Sequence, residues 1–187
     1  MIRFALVEIL PAAVLLLPVY AVLWKLYFRD AGKTVLYYIL SVYLCAVYAL
    51  VGLPNVTYIR FELSGNLIPF RDMLYGFRSS LQNVLLFVPL GVLLPLLWER
   101  YRQVKNAVFF GFCMSLIIEL LQIFTYRATD INDLITNTAG TLIGWCLFAP
   151  LRKKIPAAAK GEKDLVPVLV LSVACMFFLQ PFLTALL

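Results

Sequence analysis

The sequence predicts an all-α, polytopic integral membrane bundle of about six transmembrane helices, and three observations lead there. Of its 187 residues, 63% are hydrophobic and only 14% charged, far from the balance of a soluble globular domain. Several apolar runs exceed the roughly 18 residues that span a hydrocarbon core. The longest connection, Asn55 to Ser79, is 25 residues, so no soluble domain fits between the spans. A single membrane domain over residues 1–187 follows.

The first expected span runs about Phe4–Phe28, with Pro11 and Pro18 as bends that membrane helices tolerate. Its apolar run is too long for the core of a cleaved signal peptide, so a retained first helix is expected. The second is about Thr34–Leu53, closed by Gly52-Leu53-Pro54. The third is about Ser80–Trp98, the fourth about Asn106–Tyr126, the fifth about Ile131–Pro150 and the sixth about Leu165–Leu187. Tyr20, Tyr27, Trp24, Trp98, Tyr101, Tyr126 and Trp145 lie near span ends, where an interfacial aromatic belt belongs.

Basic residues set the orientation. Eleven Lys and Arg lie in the connections after spans one, three and five, and five (Arg3, Arg60, Arg71, Arg78, Arg127) on the other side. That bias places the odd connections in the cytoplasm and both termini outside. The net charge of +6 is therefore a membrane signal rather than a nucleic-acid footprint.

With no histidine in the chain, any chemistry must run on carboxylates, amides, hydroxyls, Arg or Lys. Cys45, Cys113, Cys146 and Cys175 each fall inside an apolar run with no CxxC spacing, as packing residues do. No cofactor and no metal site is expected, although two carboxylates would accept Mg²⁺.

One stretch, Glu119 to Gly144, breaks the apolar pattern. Ionisable groups are costly within a membrane and so mark functional candidates. Glu119 lies seven residues, ~10 Å, from the outer end of the fourth span, with Gln122 one turn nearer the surface. Asp133 opens the fifth span and Asn137 follows one turn deeper; Arg78 and Asn83 open the third. Three helices thus bring polar groups to one layer. Arg71, Arg78, Asn83, Glu119, Gln122, Arg127, Asp130, Asp133 and Asn137 are the candidate ligand-binding residues. The stripe Gly140, Thr141, Gly144 is expected to hold the fourth and fifth helices together, or to face a second copy in a homo-oligomer.

Each candidate has two readings. Glu119 is either a brace, neutralised by protonation or by Arg127, or a ligand contact or acid/base group. Asp130 pairs with an arginine or caps the fifth helix. The arginines suit a phosphate or carboxylate, or merely balance the aspartates. Asn66–Phe70 is an ordinary loop with a Pro turn, or a lid or re-entrant piece. If the chain is an enzyme, Glu119 and Asp133 are the best catalytic candidates, but no recognised catalytic motif is present.

The motifs carry a resemblance. Asn66-Leu67-Ile68-Pro69-Phe70, Asn83 to Gly91 (NVLLFVPLG), Glu119-x2-Gln122 and Arg127-x2-Asp130-x2-Asp133-Leu134-Ile135-Thr136-Asn137-Thr138-x-Gly140 are similar to the VanZ family over about residues 66–145. The resemblance implies a bacterial envelope setting and a link to the lipoglycopeptide teicoplanin, but no reaction. The resulting expectation is an outward-facing polar pocket that binds a lipid or glycolipid head group. Its partners would be membrane lipids, a lipid-linked cell-wall precursor or the lipoglycopeptide, and its effect would fall on envelope properties or resistance. The alternatives are an intramembrane hydrolase or transferase acting on a lipid-linked substrate, and, with no polar path to the cytoplasmic side, a transporter or flippase.

Overall fold

A computed structural model describes residues 2–62, 64–71, 76–125, 127–179 and 181–182. Among the described residues six α-helices, α1 (Ile2–Leu23), α2 (Ala31–Val51), α3 (Phe77–Leu97), α4 (Val104–Gln122), α5 (Ile131–Phe148) and α6 (Leu165–Ala174), carry the fold. Two-residue strands, β1 (Gly65–Asn66) and β2 (Thr129–Asp130), form the sheet. Among the described residues, four helical stretches are long and apolar enough to cross a membrane: Val7–Phe28, Ala31–Val51, Phe77–Leu97 and Val104–Gln122. The expected fifth span is the 18-residue α5, which carries the polar residues of interest. The expected sixth is α6 continuing through a π-helical turn to Leu179; its expected end at Leu187 lies outside the described residues, as does Tyr126.

The chain forms two compact units, Met1–Ile59 with Glu162–Leu187, and Arg60–Gly161. In the first, α1 keeps Pro11 and Pro18 inside the helix and runs into a π-helical turn, Trp24–Phe28. Asp30 then caps α2, its carboxylate accepting the Lys33 N–H at 3.0 Å. Gly52 ends α2 at φ 65°, a left-handed position open to glycine, and Pro54 prevents continuation. Inside, hydroxyls pair with one another rather than with lipid: Tyr20 with Ser41 at 2.6 Å, and Ser172 donating to Ser41 at 2.9 Å. Lys33 meets the buried Asp164 at 2.5 Å, and Tyr37 donates to the same carboxylate at 3.0 Å.

In the second unit α3, α4 and α5 pack as an up-down-up bundle. The small-residue stripe of α5 is used differently from the expectation. Gly140 lies against the Val84 carbonyl and Gly144 against the Val88 carbonyl and Gly91, so the stripe joins α5 to α3. Only Thr141 turns to α4, where Gly111 makes room for its side chain. The reason is geometric: α3 offers a glycine, Gly91, at the same level, and two glycine-bearing faces approach more closely than any other pair. The stripe is therefore occupied within the chain. At the far end Trp98 is buried, and Arg102 donates to the Arg152 and Ile155 carbonyls at 2.8 and 2.5 Å, tying down the connection after α5.

Outward faces are apolar: Leu85, Phe109, Leu120 and Leu147 are all at least half exposed. Large apolar side chains exposed on each of these helices suit hydrocarbon rather than water. The all-α membrane bundle is thus the fold. Cys45 and Cys175 are buried, Cys113 is half-buried, and Cys146 is exposed on α5.

Candidate functional site

All nine candidate residues fall in the second unit, at the end where α4 stops and α3 and α5 begin. The α4–α5 turn is built first. Thr125 donates its hydroxyl and its N–H to the Gln122 carbonyl, each at 2.9 Å, closing α4. Its hydroxyl oxygen accepts the Arg127 N–H at 3.2 Å, and the chain then extends through β2. Asp130 caps α5, its Oδ1 accepting the Asn132 N–H at 2.9 Å. A carboxylate there also complements the helix dipole.

Glu119, 4% exposed, reaches across this turn. Its Oε2 accepts the Asp130 N–H at 2.8 Å, while the Thr129 hydroxyl donates to its backbone carbonyl at 3.3 Å. These two contacts tie the last turn of α4 to β2.

The long connection is pinned to the same turn. Strand β1 pairs in parallel with β2, Gly65 opposite Thr129 and Asn66 opposite Asp130. The Asn66 amide donates to Asp130 Oδ1 at 3.2 Å and its carbonyl oxygen accepts the Ile68 N–H at 3.1 Å. Asn132 holds the other end: its Oδ1 accepts the Phe70 N–H at 2.7 Å and its Nδ2 donates to the Arg71 carbonyl at 3.0 Å. Phe70 is kept at φ 62°, a strained conformation for an aromatic residue. The segment is a loop clamped by two asparagines, its Leu67, Ile68 and Phe70 side chains exposed.

A second polar group lies deeper. Helix α3 begins at Phe77, earlier than expected, so Arg78 falls in its first turn and Asn83 in its second. The Asn83 carboxamide lies beside the Asp133 carboxyl without completing a regular hydrogen bond; its Nδ2 is buried and has no partner. Asn137, 3% exposed, donates through Nδ2 to the Ser115 hydroxyl at 2.9 Å, and its Oδ1 is buried without a partner. Arg127 is the arginine whose charge reaches both Glu119 and Asp133. Arg71 and Arg78 are exposed, and Arg71 joins the cluster through its backbone carbonyl. Gln122 is buried beside the turn it helps to close.

The structure thus separates a frame, made by the Glu119 and Asp130 carboxylates and the Gln122 backbone carbonyl, from a deeper group of Asn83, Asp133 and Asn137 that feels the Arg127 charge, in which Asn83 Nδ2 and Asn137 Oδ1 have no hydrogen-bond partner. It adds Asn66, Asn132, Thr129 and Ser115. Ser115 was visible in principle, four residues before Glu119 on the same face of α4. Among the described residues, no three His, Cys, Asp or Glu side chains converge as a metal site.

A match to the VanZ/LLP1 family runs over residues 34–152, from the start of α2 to just past α5. The chain belongs to the VanZ/LLP1 family. The match is wider than the motif core of about 66–145 and takes in α2. A similar protein is Protein VanZ of Enterococcus faecium, 38% identical over 90 residues. That alignment covers 46% of this chain and 53% of the relative, so the chain spans about half the length of the curated relative it matches. No solved structure matches.

Proposed function

We propose that this VanZ/LLP1 member is a multi-pass protein of the bacterial plasma membrane, with its termini outside. In this reading the end of the α3–α4–α5 bundle binds the polar head group of a lipid or glycolipid, and through it alters envelope properties or lipoglycopeptide (teicoplanin) resistance. One observation carries the proposal: two amide atoms, Asn83 Nδ2 and Asn137 Oδ1, are buried without partners at a cluster that also holds Asp133 and Arg127. Leaving a buried amide group unpaired costs ~1–3 kcal/mol, so a donor and an acceptor kept open together suit a bound polar group. An Arg beside a carboxyl and two amides can bind both the phosphate and the hydroxyls of such a head group.

The test uses Asp133→Asn and Asn137→Ala, with head-group binding by the purified chain and lipoglycopeptide resistance of cells producing it as readouts. Folded variants should lose both. Full binding and full resistance in both variants would refute the proposal.

A further inference from the structure

A cavity of about 320 Å³ lies in the first unit, between Leu17–Trp24 and Ala31–Tyr38. It contains none of the candidate residues discussed above. Its volume falls at the lower end of the range for ligand pockets. Three hydroxyl-bearing side chains line it, and each has already found a partner elsewhere. Tyr20 is bonded to Ser41 at 2.6 Å, Tyr38 donates to the Ala13 carbonyl at 3.1 Å, and Thr34 donates to the Asp30 carbonyl at 2.6 Å. Leu17, Ala21 and Val35 complete a wall that presents hydrocarbon to whatever fills it. Apart from the Trp24 indole at one end a polar occupant would find little to bond, whereas a hydrocarbon chain loses nothing by entering.

The shape is that of a groove along two antiparallel helices. Eight residues on each side, seven helical steps, give it a length of ~10 Å along the helix axes. One end lies at the turn between α1 and α2, where Lys25 and Arg29 are exposed and the one carboxylate, Asp30, is engaged in capping α2. The third basic residue of that turn, Lys33, is committed to Asp164 and lies over the Phe28 and Tyr37 rings. Trp24, 43% exposed, closes the groove at this end, the depth at which interfacial tryptophans sit. The groove therefore passes from a basic interface into the hydrocarbon layer.

We propose that this groove holds one acyl chain of an anionic phospholipid whose head group rests at Lys25 and Arg29. Apolar lining and charge complementarity at one end select that occupant over a zwitterionic lipid or a partner helix. The site is independent of the polar cluster at α3–α5.

Trp24 provides the reporter. The full chain is placed in phosphatidylcholine vesicles containing either phosphatidylglycerol or phosphatidylcholine with brominated acyl chains, and the Trp24 signal is taken as the difference from Trp24→Phe. Brominated phosphatidylglycerol should quench Trp24 more strongly at equal mole fraction. At ~1 kcal/mol per basic residue near an anionic surface, each of Lys25→Gln and Arg29→Gln should reduce that preference about fivefold. Ala21→Phe, which fills the groove, should bring it to parity in a chain whose helicity is unchanged by circular dichroism. Equal quenching by the two lipids in the unaltered chain overturns the proposal. So does a preference that survives both charge variants, or one that survives filling of the groove.

Discussion

The Glu119 carboxylate accepts the backbone N–H of Asp130 at 2.8 Å, and Asp130 in turn caps α5 through the Asn132 N–H at 2.9 Å. Two acidic side chains in series thus join the end of α4 to the start of α5. Glu119 needs only an acceptor oxygen to do this. Glu119→Gln keeps one and should melt close to the unaltered protein in detergent, while Glu119→Ala strands the Asp130 N–H and should lose ~1–3 kcal/mol. A glutamine variant that is stable but inactive would instead mark Glu119 as an acid/base group.

Asn132 is the residue on which the loop depends. It makes two hydrogen bonds to backbone at Phe70 and Arg71, and Phe70 is held at positive φ against its preference. Asn132→Ala should release the 66–71 segment without unfolding the bundle, since local opening needs far less free energy than global unfolding. Amide hydrogen exchange should accelerate at Ile68, Phe70 and Arg71 and stay slow within α4. Unchanged exchange across the segment would show that Asn66 alone suffices.

Gly144 and Gly161 give a matched pair of substitutions. A methyl group at Gly144 would overlap the Val88 carbonyl and the Gly91 backbone, whereas Gly161 has nothing within 4 Å. Gly144→Ala must separate α3 from α5 and should cost ~1–3 kcal/mol by thermal unfolding. Gly161→Ala should be neutral. Similar melting of the two variants would mean that the α3–α5 contact is looser than described.

Asn83→Leu provides a test in which stability and function move apart. Removing a buried Nδ2 that completes no regular hydrogen bond should leave the melting temperature nearly unchanged, because relief of the unpaired amide offsets the lost contact with the Asp133 carboxyl. The same change should abolish head-group binding. If the variant melts lower and still binds, Asn83 serves packing and not recognition.

Much of the site could be read from the residue order. Glu119, Asp133 and Asn137 stand out because polar groups in an apolar helix are costly, and helical spacing gave their common level. The partners could not be read. Gly140 and Gly144 would fit any neighbouring helix by their size, and only the level of Gly91 on α3 decides the contact. Asn132 falls on an unspecified position between Asp130 and Asp133 in the motif, and its role depends on a segment 62 residues earlier arriving beside it.

By itself the sequence determined the membrane class, the helices and the family, because hydropathy, proline and glycine placement and motif spacing are local properties of the chain. The tertiary structure alone decided which polar groups are spent and which are held open. Glu119 Oε2 and Asp130 Oδ1 accept backbone N–H groups at the α4–α5 turn, while Asn83 Nδ2 and Asn137 Oδ1 keep their hydrogen bonds unmade. Whether a buried amide is satisfied depends on distances between segments far apart in the chain, and residue order does not contain them.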